Sequence, residues 1–496
     1  MEKSIRLTDQ IFNANEEFAV DGEMELPEYY PEISKILDCR VSLSEDSVSL
    51  TNDTVTFAGK ARFELMYLSD GNVLTSYTSV QKFTKNMTGK GFEAADYCRC
   101  EILPGDLRFK AVAPRRVSLN AVGALRAAVY RCCDRQIRAE EEDARLQCHI
   151  FRTPLFQTSA LTGVTVTLSE RLTLPVSKEQ ITGFLKTEGE VEIREISCIK
   201  NKALIKGAVT LRCDCVDQDG GVHMDLTESF DFSEVKDVFG VDETQKVFAY
   251  PDATEIDVDL RSASFSDREV PVTVRLKLFL LCGTEDEAAF TDDVYVPNGT
   301  ITCKRERLFF PTSAEQLHET VPFSLQADGL DIGVARVESV TADDVVYKVH
   351  SRGEKQILIG SMRMIALCRL QDGSRYCVSR KNAFETDLPG RQDDLYFLHV
   401  EVSSLSAELK DAALTFHGSV TVEGMCVNRV EKEIVVSVDA VEQKDASADR
   451  LILYYANGGE DLWSIAKENG AHYNRLSELN PDLPVDLSEP RVLLLN

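Results

Sequence analysis

Apolar and polar residues alternate along much of the chain, the pattern expected of β-strands with one buried face. The clearest case follows Gly207, where every second residue is apolar: Val209, Leu211, Cys213 and Cys215. Residues 272–278 show the same alternation, with Thr, Arg and Lys between the apolar positions. The pattern predicts a mainly β protein.

Two sequence landmarks recur with one spacing. "LPEYYPEISKIL" begins at Leu26 and "LPVSKEQITGFL" at Leu174, an offset of 148 residues. The strand pattern around Gly59 returns around Gly207 at the same offset. A third copy of the strand surrounds Gly360, and "VPFSL" at 321–325 is the remnant of its Leu-Pro landmark. Units of this length are too long for a solenoid, so three tandem domains are predicted.

The three copies align position by position. Tyr67, Cys215 and Cys368 fall at one inward-facing position. Because tyrosine takes the place of cysteine there in the first copy, no metal-ligand role is predicted for Cys215 and Cys368. Each strand then reaches an Asp-Gly pair, at 70–71, 219–220 and 372–373. Asp-Gly favours tight hairpins, so antiparallel, sandwich-like sheets are predicted. Gly59, Gly207 and Gly360 are predicted to have structural roles.

These landmarks set the predicted domain limits. Three β-rich domains are expected at 1–150, 151–305 and 306–445, and a small module at 451–496. The charged stretch "EQKDASAD" at 442–449 is the predicted linker between them. We call residues 451–496 the tail module.

The tail module has its own pattern. An apolar strand, "LILYY", precedes a turn at Gly458-Gly459, and Glu460-Asp461 stand where a helix N-terminus favours carboxylates. A second short helix and the strand "RVLLL" follow, which predicts the order β-α-α-β. The structural core is expected to include Trp463, Ile465 and Leu476.

Charge and composition narrow the candidate functions. A net charge of −27 disfavours binding to nucleic acid or to anionic membranes. We find no signal-peptide pattern and no apolar run long enough for a transmembrane segment, so a cytoplasmic location is expected. The 14 cysteines contain no Cys-x-x-Cys pair, so neither a metal site nor any other cofactor is expected.

Catalytic motifs are also not found. "GKG" at 89–91 lacks the flanking residues of a phosphate-binding loop, and no Gly-x-Ser-x-Gly or His-Glu-x-x-His pattern occurs. Cys148-His149 is the weak remaining candidate for a catalytic pair, because adjacent residues rarely converge on one substrate. The sequence therefore predicts a protein that is not an enzyme.

The tail module resembles the LysM domain. The matching positions are Tyr454, Gly459 to Trp463, Ile465-Ala466, Leu476, Asn480 and Val492-Leu493. In LysM domains a shallow groove between two loops binds N-acetylglucosamine polymers. The resemblance implies that the groove is lined by the following residues: Asn457, Gly458, Gly459, Glu460, Asp461, Pro481, Asp482 and Leu483.

The repeats carry a second resemblance. "ELPEYYPEISKIL", followed by a glycine-marked strand and an Asp-Gly hairpin, is similar to the SPOCS domain of spore-coat proteins in endospore-forming Firmicutes. Tandem SPOCS-like domains followed by a LysM-like module resemble clostridial coat-morphogenesis proteins. This implies a non-catalytic scaffold of spore-coat assembly in the mother-cell cytoplasm, at the forespore surface.

The resemblance also implies partners. The LysM-like module would dock onto the morphogenetic ATPase of the coat basement, and the scaffold would bind other coat proteins. The alternative is a peptidoglycan-binding cell-wall protein, which would require export. Apolar faces of β-rich repeats would in addition allow self-association.

Overall fold

The computed structural model describes residues 2–138, 145–174, 180–263, 268–327, 333–353, 355–410, 413–443, 452–481 and 487–495. Strands make up 80% of the structure and helices 4%, and the sheets are antiparallel. The prediction of a mainly β protein with antiparallel sheets is therefore confirmed. No helix in the described ranges is long and apolar enough to cross a membrane.

The first six strands form two three-stranded sheets. They are β1 (Glu2–Glu25), β2 (Ile33–Thr51), β3 (Thr54–Ser69), β4 (Leu74–Thr88), β5 (Tyr97–Ala113) and β6 (Arg116–Arg138). One sheet has the order β1-β6-β5 and the other β2-β3-β4. We call this part of the chain unit 1.

The same arrangement occurs twice more. Unit 2 contains β7 (Gln147–Thr173), β8 (Ile181–Ile199), β9 (Lys202–Asp217), β10 (Val222–Asp237), β11 (Lys246–Val258), a 3₁₀ turn (Leu260–Ser262) and β12 (Glu269–Tyr295). Unit 3 contains β13 (Gly299–Ala327), β14 (Val334–Arg352), β15 (Lys355–Leu370), β16 (Arg375–Leu388), β17 (Leu395–Lys410) and β18 (Ala413–Gln443). Their sheets are β7-β12-β11 with β8-β9-β10, and β13-β18-β17 with β14-β15-β16.

The unit limits differ from those predicted. The boundaries at 150/151 and 305/306 fall inside β7 and β13, so the units begin at Gln147 and Gly299. The reason is that the Leu-Pro landmarks follow the first strand of units 1 and 2. They give the distance between repeats, but they do not show at which residue each unit begins. "VPFSL" likewise lies inside β13 and is not the counterpart of the earlier Leu-Pro sites. The predicted linker lies outside the described residues except for 442–443, which end β18.

Each unit has its core between its two sheets. In unit 2, Val166 and Leu276 from one sheet pack with Val209 and Leu211 from the other. All four side chains are fully buried. The predicted inward position is also buried in every unit, with Tyr67, Cys215 and Cys368 fully inaccessible to solvent.

A glycine in the middle strand of the second sheet faces a phenylalanine in every unit. The cross-strand pairs are Gly59–Phe83, Gly207–Phe232 and Gly360–Phe384. A Cβ atom built on these glycines would come within 2.6, 2.8 and 2.2 Å of the respective ring. The ring therefore covers the backbone of the glycine, which explains why the middle strand carries glycine at this position.

The hairpins after β3, β9 and β15 are present, but they are not identical. Gly220 and Gly373 have φ of 76° and 82°, and both donate to the carbonyl three residues earlier. In unit 1 this position is Asn72, with φ of 58°, and not Gly71. Asn is one of the residues that tolerate the left-handed region. The residue with positive φ is therefore the one after the Asp-Gly pair in unit 1, whereas it is the glycine of the pair in units 2 and 3.

The three units close on one another through shared apolar clusters. Leu7, Leu155 and Leu308 lie at corresponding positions in the first strands and meet in one buried cluster. A second cluster joins Leu68, Val216 and Leu367. In a third, the ring of Phe279 stacks on Phe397 at 4.8 Å and lies 5.7 Å from Tyr97. Each unit therefore contacts both others.

Two arginines of unit 1 reach both other units. Arg40 donates to the Thr341 hydroxyl at 2.8 Å and to the carbonyl of Leu185. Arg99 donates to the Asp252 carboxylate at 2.8 Å and to the carbonyl of Leu398 at 2.6 Å. Burial alone would raise the pKa of Asp252, but Arg99 and Lys277 hold it below the usual value. The buried carboxylate is therefore ionised and paired.

Substitution of Gly207 tests the glycine–phenylalanine pair. In Gly207→Ala the new Cβ would lie 2.2 Å from the Glu192 carbonyl oxygen and 2.8 Å from the Phe232 ring. Overpacking of this kind should lower the free energy of unfolding by about 1–3 kcal/mol. Chemical denaturation measures this, with Gly71→Ala as the control, because its Cβ would meet only Val73 at 3.7 Å. Equal stability of the two variants would contradict the expectation.

Candidate functional site

The tail module has two strands and two helices. They are β19 (Leu453–Ala456), α1 (Leu462–Glu468), α2 (Tyr473–Leu479) and β20 (Arg491–Leu494), with β19 and β20 antiparallel. The residues that were predicted to be structural are buried: Trp463, Ile465 and Leu476. The Asn480 amide donates to the carbonyls of Leu476 and Leu494 at 2.8 and 2.9 Å, so it ties the end of α2 to β20.

Asp461 begins helix α1. Its carboxylate accepts from the Ser464 amide at 2.9 Å and from the Ser464 hydroxyl at 2.7 Å. Partial burial would raise the pKa of Asp461, but the bonds from Ser464 lower it below the usual value. Asp461 is thus an ionised N-cap, and this role explains the carboxylate that the sequence places there.

Glu460 closes the loop between β19 and α1. Its carboxylate accepts from the Asn457 amide at 2.7 Å. The Gly459 amide donates to the Leu487 carbonyl at 2.6 Å, and the Leu487 amide donates back to the Glu460 carbonyl at 3.0 Å. Gly459 has φ of 96°, which favours glycine at this position. The loop is therefore tied to the chain that precedes β20.

The candidate groove residues differ in accessibility. Asn457, Gly458, Gly459 and Pro481 are exposed, whereas Glu460 and Asp461 are half-buried and serve the local structure. Asp482 and Leu483 lie outside the described residues. The exposed part of the loop is thus available to a binding partner, and the carboxylates fix its shape.

Trp463 joins the tail module to the rest of the chain. Its indole Nε1 donates to Asp293 at the end of β12 at 2.8 Å. Lys467 donates to both oxygens of the same carboxylate, at 2.8 and 2.7 Å, and Arg305 of β13 donates to it at 2.6 Å. Burial would raise the pKa of Asp293, but Lys467, Trp463 and Arg305 lower it to about 2. Asp293 is therefore the ionised centre of the contact between the tail module and units 2 and 3.

Aromatic rings surround this centre. The Trp463 ring lies 5.0 Å from Tyr295, 5.2 Å from His149 and 5.3 Å from Tyr473. The Tyr295 hydroxyl donates to the Ala471 carbonyl at 2.9 Å. The docking surface, as we call it, consists of Trp463, Lys467 and Tyr473 of the tail module and of their neighbours on units 2 and 3: His149, Asp293, Tyr295 and Arg305.

The docking surface extends the predicted role of Trp463. The sequence predicts a residue that fills the core of the tail module, but the indole also packs on Tyr295 and bonds to Asp293. Asp293 and Tyr295 were not predicted as functional, because they lie about 170 residues away and carry no motif. His149, from the candidate pair Cys148-His149, forms a hydrogen bond through Nδ1 with the Asp292 carboxylate at 2.6 Å, and its ring lies 5.2 Å from the Trp463 ring.

Within the described ranges, no group of three or more His, Cys, Asp and Glu residues is arranged to hold a metal ion. Comparisons with protein-family models, with curated proteins and with solved structures gave no match. Evidence for function therefore comes from the residues and the geometry of this chain.

Removal of the Asp293 charge should weaken docking. Asp293→Asn loses the ionic contacts with Lys467 and Arg305. A pKa lowered from 3.8 to about 2 corresponds to roughly 2 kcal/mol, and only the part that comes from Lys467 and Trp463 holds the tail module, because Arg305 belongs to unit 3. Trp463 is the only tryptophan in the chain, so its fluorescence reports on docking directly. We expect emission at longer wavelength and stronger quenching by acrylamide. Asp237→Asn, on an exposed strand end of unit 2, is the control. Identical quenching in the two variants would show that the charge does not hold the module.

Acid should release the tail module for the same reason. Because the pKa of Asp293 is depressed in the docked state, its contribution is complete above pH 4 and is lost as the pH falls through about 2. Trp463 emission should be constant from pH 5 to 8 and should shift between pH 4 and 2. Far-UV circular dichroism recorded in parallel separates release from unfolding of the sheets. An Asp293→Asn variant that shows the same acid transition would contradict this assignment.

Proposed function

We propose that this protein is a non-catalytic scaffold of endospore-coat assembly. In this proposal the three-unit body holds the tail module in a fixed orientation, and the exposed loop of the tail module binds a partner. The observation that carries the proposal is the docking surface, since it uses one face of the tail module and leaves Asn457, Gly458 and Gly459 exposed. A rigidly held loop loses little conformational entropy on binding.

The proposed partner is the morphogenetic ATPase of the coat basement, and other coat proteins would bind the body. The resemblance to SPOCS and LysM domains supports this assignment. A protein partner is also favoured by the outer face of the β19–β20 sheet, where Tyr455 is 76% exposed and Leu453 and Val492 are exposed beside it. Exposed tyrosine flanked by aliphatic residues is typical of interface hot spots. The proposed location is the mother-cell side of the forespore surface.

Live-cell imaging during sporulation tests the proposal. A fluorescent fusion of the full chain should form a ring around the forespore, and truncation after Asp449 should abolish the ring. Tyr455→Ala should weaken both the ring and co-purification with the ATPase. Tyr376→Ala is the matched control, because Tyr376 is an exposed tyrosine on β16 of unit 3.

Three outcomes are informative. A ring that is lost in the truncation and weakened by Tyr455→Ala, but not by Tyr376→Ala, supports a scaffold docked through its tail module. A ring that survives the truncation contradicts a docking role of the tail module. Signal along the vegetative cell wall, still dependent on the tail module, would instead support binding of N-acetylglucosamine polymers.

A further inference from the structure

A groove separates unit 1 from unit 2, and none of its lining residues belongs to the docking surface. Its volume is about 740 Å³, within the range of small-molecule sites. Its long walls are β4 and β8, each of which is an edge strand of its sheet. The 3₁₀ turn after β11 closes one end. No function described so far uses this groove.

Tyrosines form one wall. The Tyr30 and Tyr77 rings meet edge to face at 4.9 Å, and the Tyr29 ring lies 5.1 Å from Tyr30. Tyr29 is 77% exposed. A large exposed ring supported by two others is a platform on which an apolar ligand face can stack.

The charges in the groove are already paired. Arg62 bonds to Asp257 at 2.6 Å across the boundary between the units. Lys186 lies 3.1 Å from Glu188, and Glu64 lies 3.1 Å from Arg40. Arg261 and Asp259 are 3.9 Å apart. The Arg261 side chain is 90% exposed and remains in contact with solvent. A ligand charge placed against Arg62, Lys186 or Glu64 would have to displace one of their partners, so the interior of the groove suits a neutral ligand.

Uncharged hydrogen-bonding groups are available instead. The hydroxyls of Tyr30 and Tyr77 and the amides of Gln180 and Gln218 line the groove. These four side-chain groups form no hydrogen bond with the described part of the chain. They offer donors and acceptors of both kinds to a ligand that carries hydroxyl or amide groups.

The close approach of the two edge strands argues against a bound peptide strand. A Cβ atom built on Gly183 of β8 would lie 1.9 Å from the Ser76 hydroxyl of β4. A strand inserted between two edges needs about 4.8 Å on either side, and this contact leaves no such space. The register-equivalent residues of the other units are Lys35 and Arg336, so the glycine contact is particular to this groove.

We propose that this groove binds a neutral saccharide. The C–H face of a sugar ring would stack on Tyr29, and its hydroxyl or acetamido groups would bond to Gln180, Gln218 and the tyrosine hydroxyls. The volume accommodates a short oligosaccharide. The site lies on the body of the protein and is independent of the loop of the tail module.

Calorimetric titration of the full chain tests this proposal. The ligands are three neutral trisaccharides, cellotriose, maltotriose and the trimer of N-acetylglucosamine, together with a trisaccharide of uronic acids. At least one neutral trisaccharide should bind saturably, and the uronic acid trimer should bind at least tenfold more weakly, because Arg62 and Lys186 in the groove are already paired with carboxylates. Tyr29→Ala should weaken binding at least tenfold, and Gln180→Ala about fivefold. Both side chains are exposed, so neither change should affect folding.

A matched variant separates this site from the tail module. Asn457→Ala alters the exposed loop of the tail module, which does not line this groove, and should leave the affinity for cellotriose and maltotriose unchanged. The proposal is overturned if no neutral trisaccharide binds, if Asn457→Ala abolishes binding while Tyr29→Ala does not, or if the charged trimer binds most tightly. Binding of a short uncharged peptide without any saccharide would also overturn it. Because Tyr29→Ala leaves the tail module intact, forespore localisation of this variant reports on the scaffold proposal separately.

Discussion

The structure depends on contacts that join all three units at once. Arg99 bonds to the Asp252 carboxylate of unit 2 and to the Leu398 carbonyl of unit 3. Arg40 bonds to the Leu185 carbonyl of unit 2 and to the Thr341 hydroxyl of unit 3. A buried guanidinium without these partners would be costly, so each arginine is satisfied only when both other units are in place. The apolar clusters around Phe279 and Leu155 impose the same condition. Three repeats of one architecture therefore behave as a single packed body.

Much of the local structure could be predicted from the sequence, because strand alternation and turn chemistry act over short distances. The buried position shared by Tyr67, Cys215 and Cys368 follows from period-two alternation alone. Features that depend on a partner strand could not be predicted. The glycine at 207 marks a cross-strand phenylalanine 25 residues later, and no local rule connects the two. Asn72 replaces Gly71 in the turn because register, which is set by pairing, decides which residue takes positive φ.

The candidate site divides in the same way. The capping role of Asp461 was foreseen, since a carboxylate before a helix has a local reason to be there. The hydrogen-bond partner of Trp463 could not be predicted, because Asp293 comes close to the indole only when units 2 and 3 have folded. The docking surface and the groove between units 1 and 2 both lie at boundaries between segments that have separate hydrophobic patterns. A boundary between segments has no hydrophobic periodicity of its own. A site located there cannot be recognised from the pattern of any single segment.

The closed arrangement of the units also has a consequence for synthesis. In every unit the first strand pairs with the sixth, so unit 1 cannot complete its sheet until residue 138 has left the ribosome. The clusters shared by the units stay incomplete until unit 3 has been made, because unit 3 supplies part of each, and two of the three also need residues of β18. The nascent chain thus carries apolar faces for most of its translation, and it folds through long-range pairings that form slowly. Prematurely terminated chains would retain these faces permanently, which makes them substrates for chaperones and proteases rather than partly working proteins.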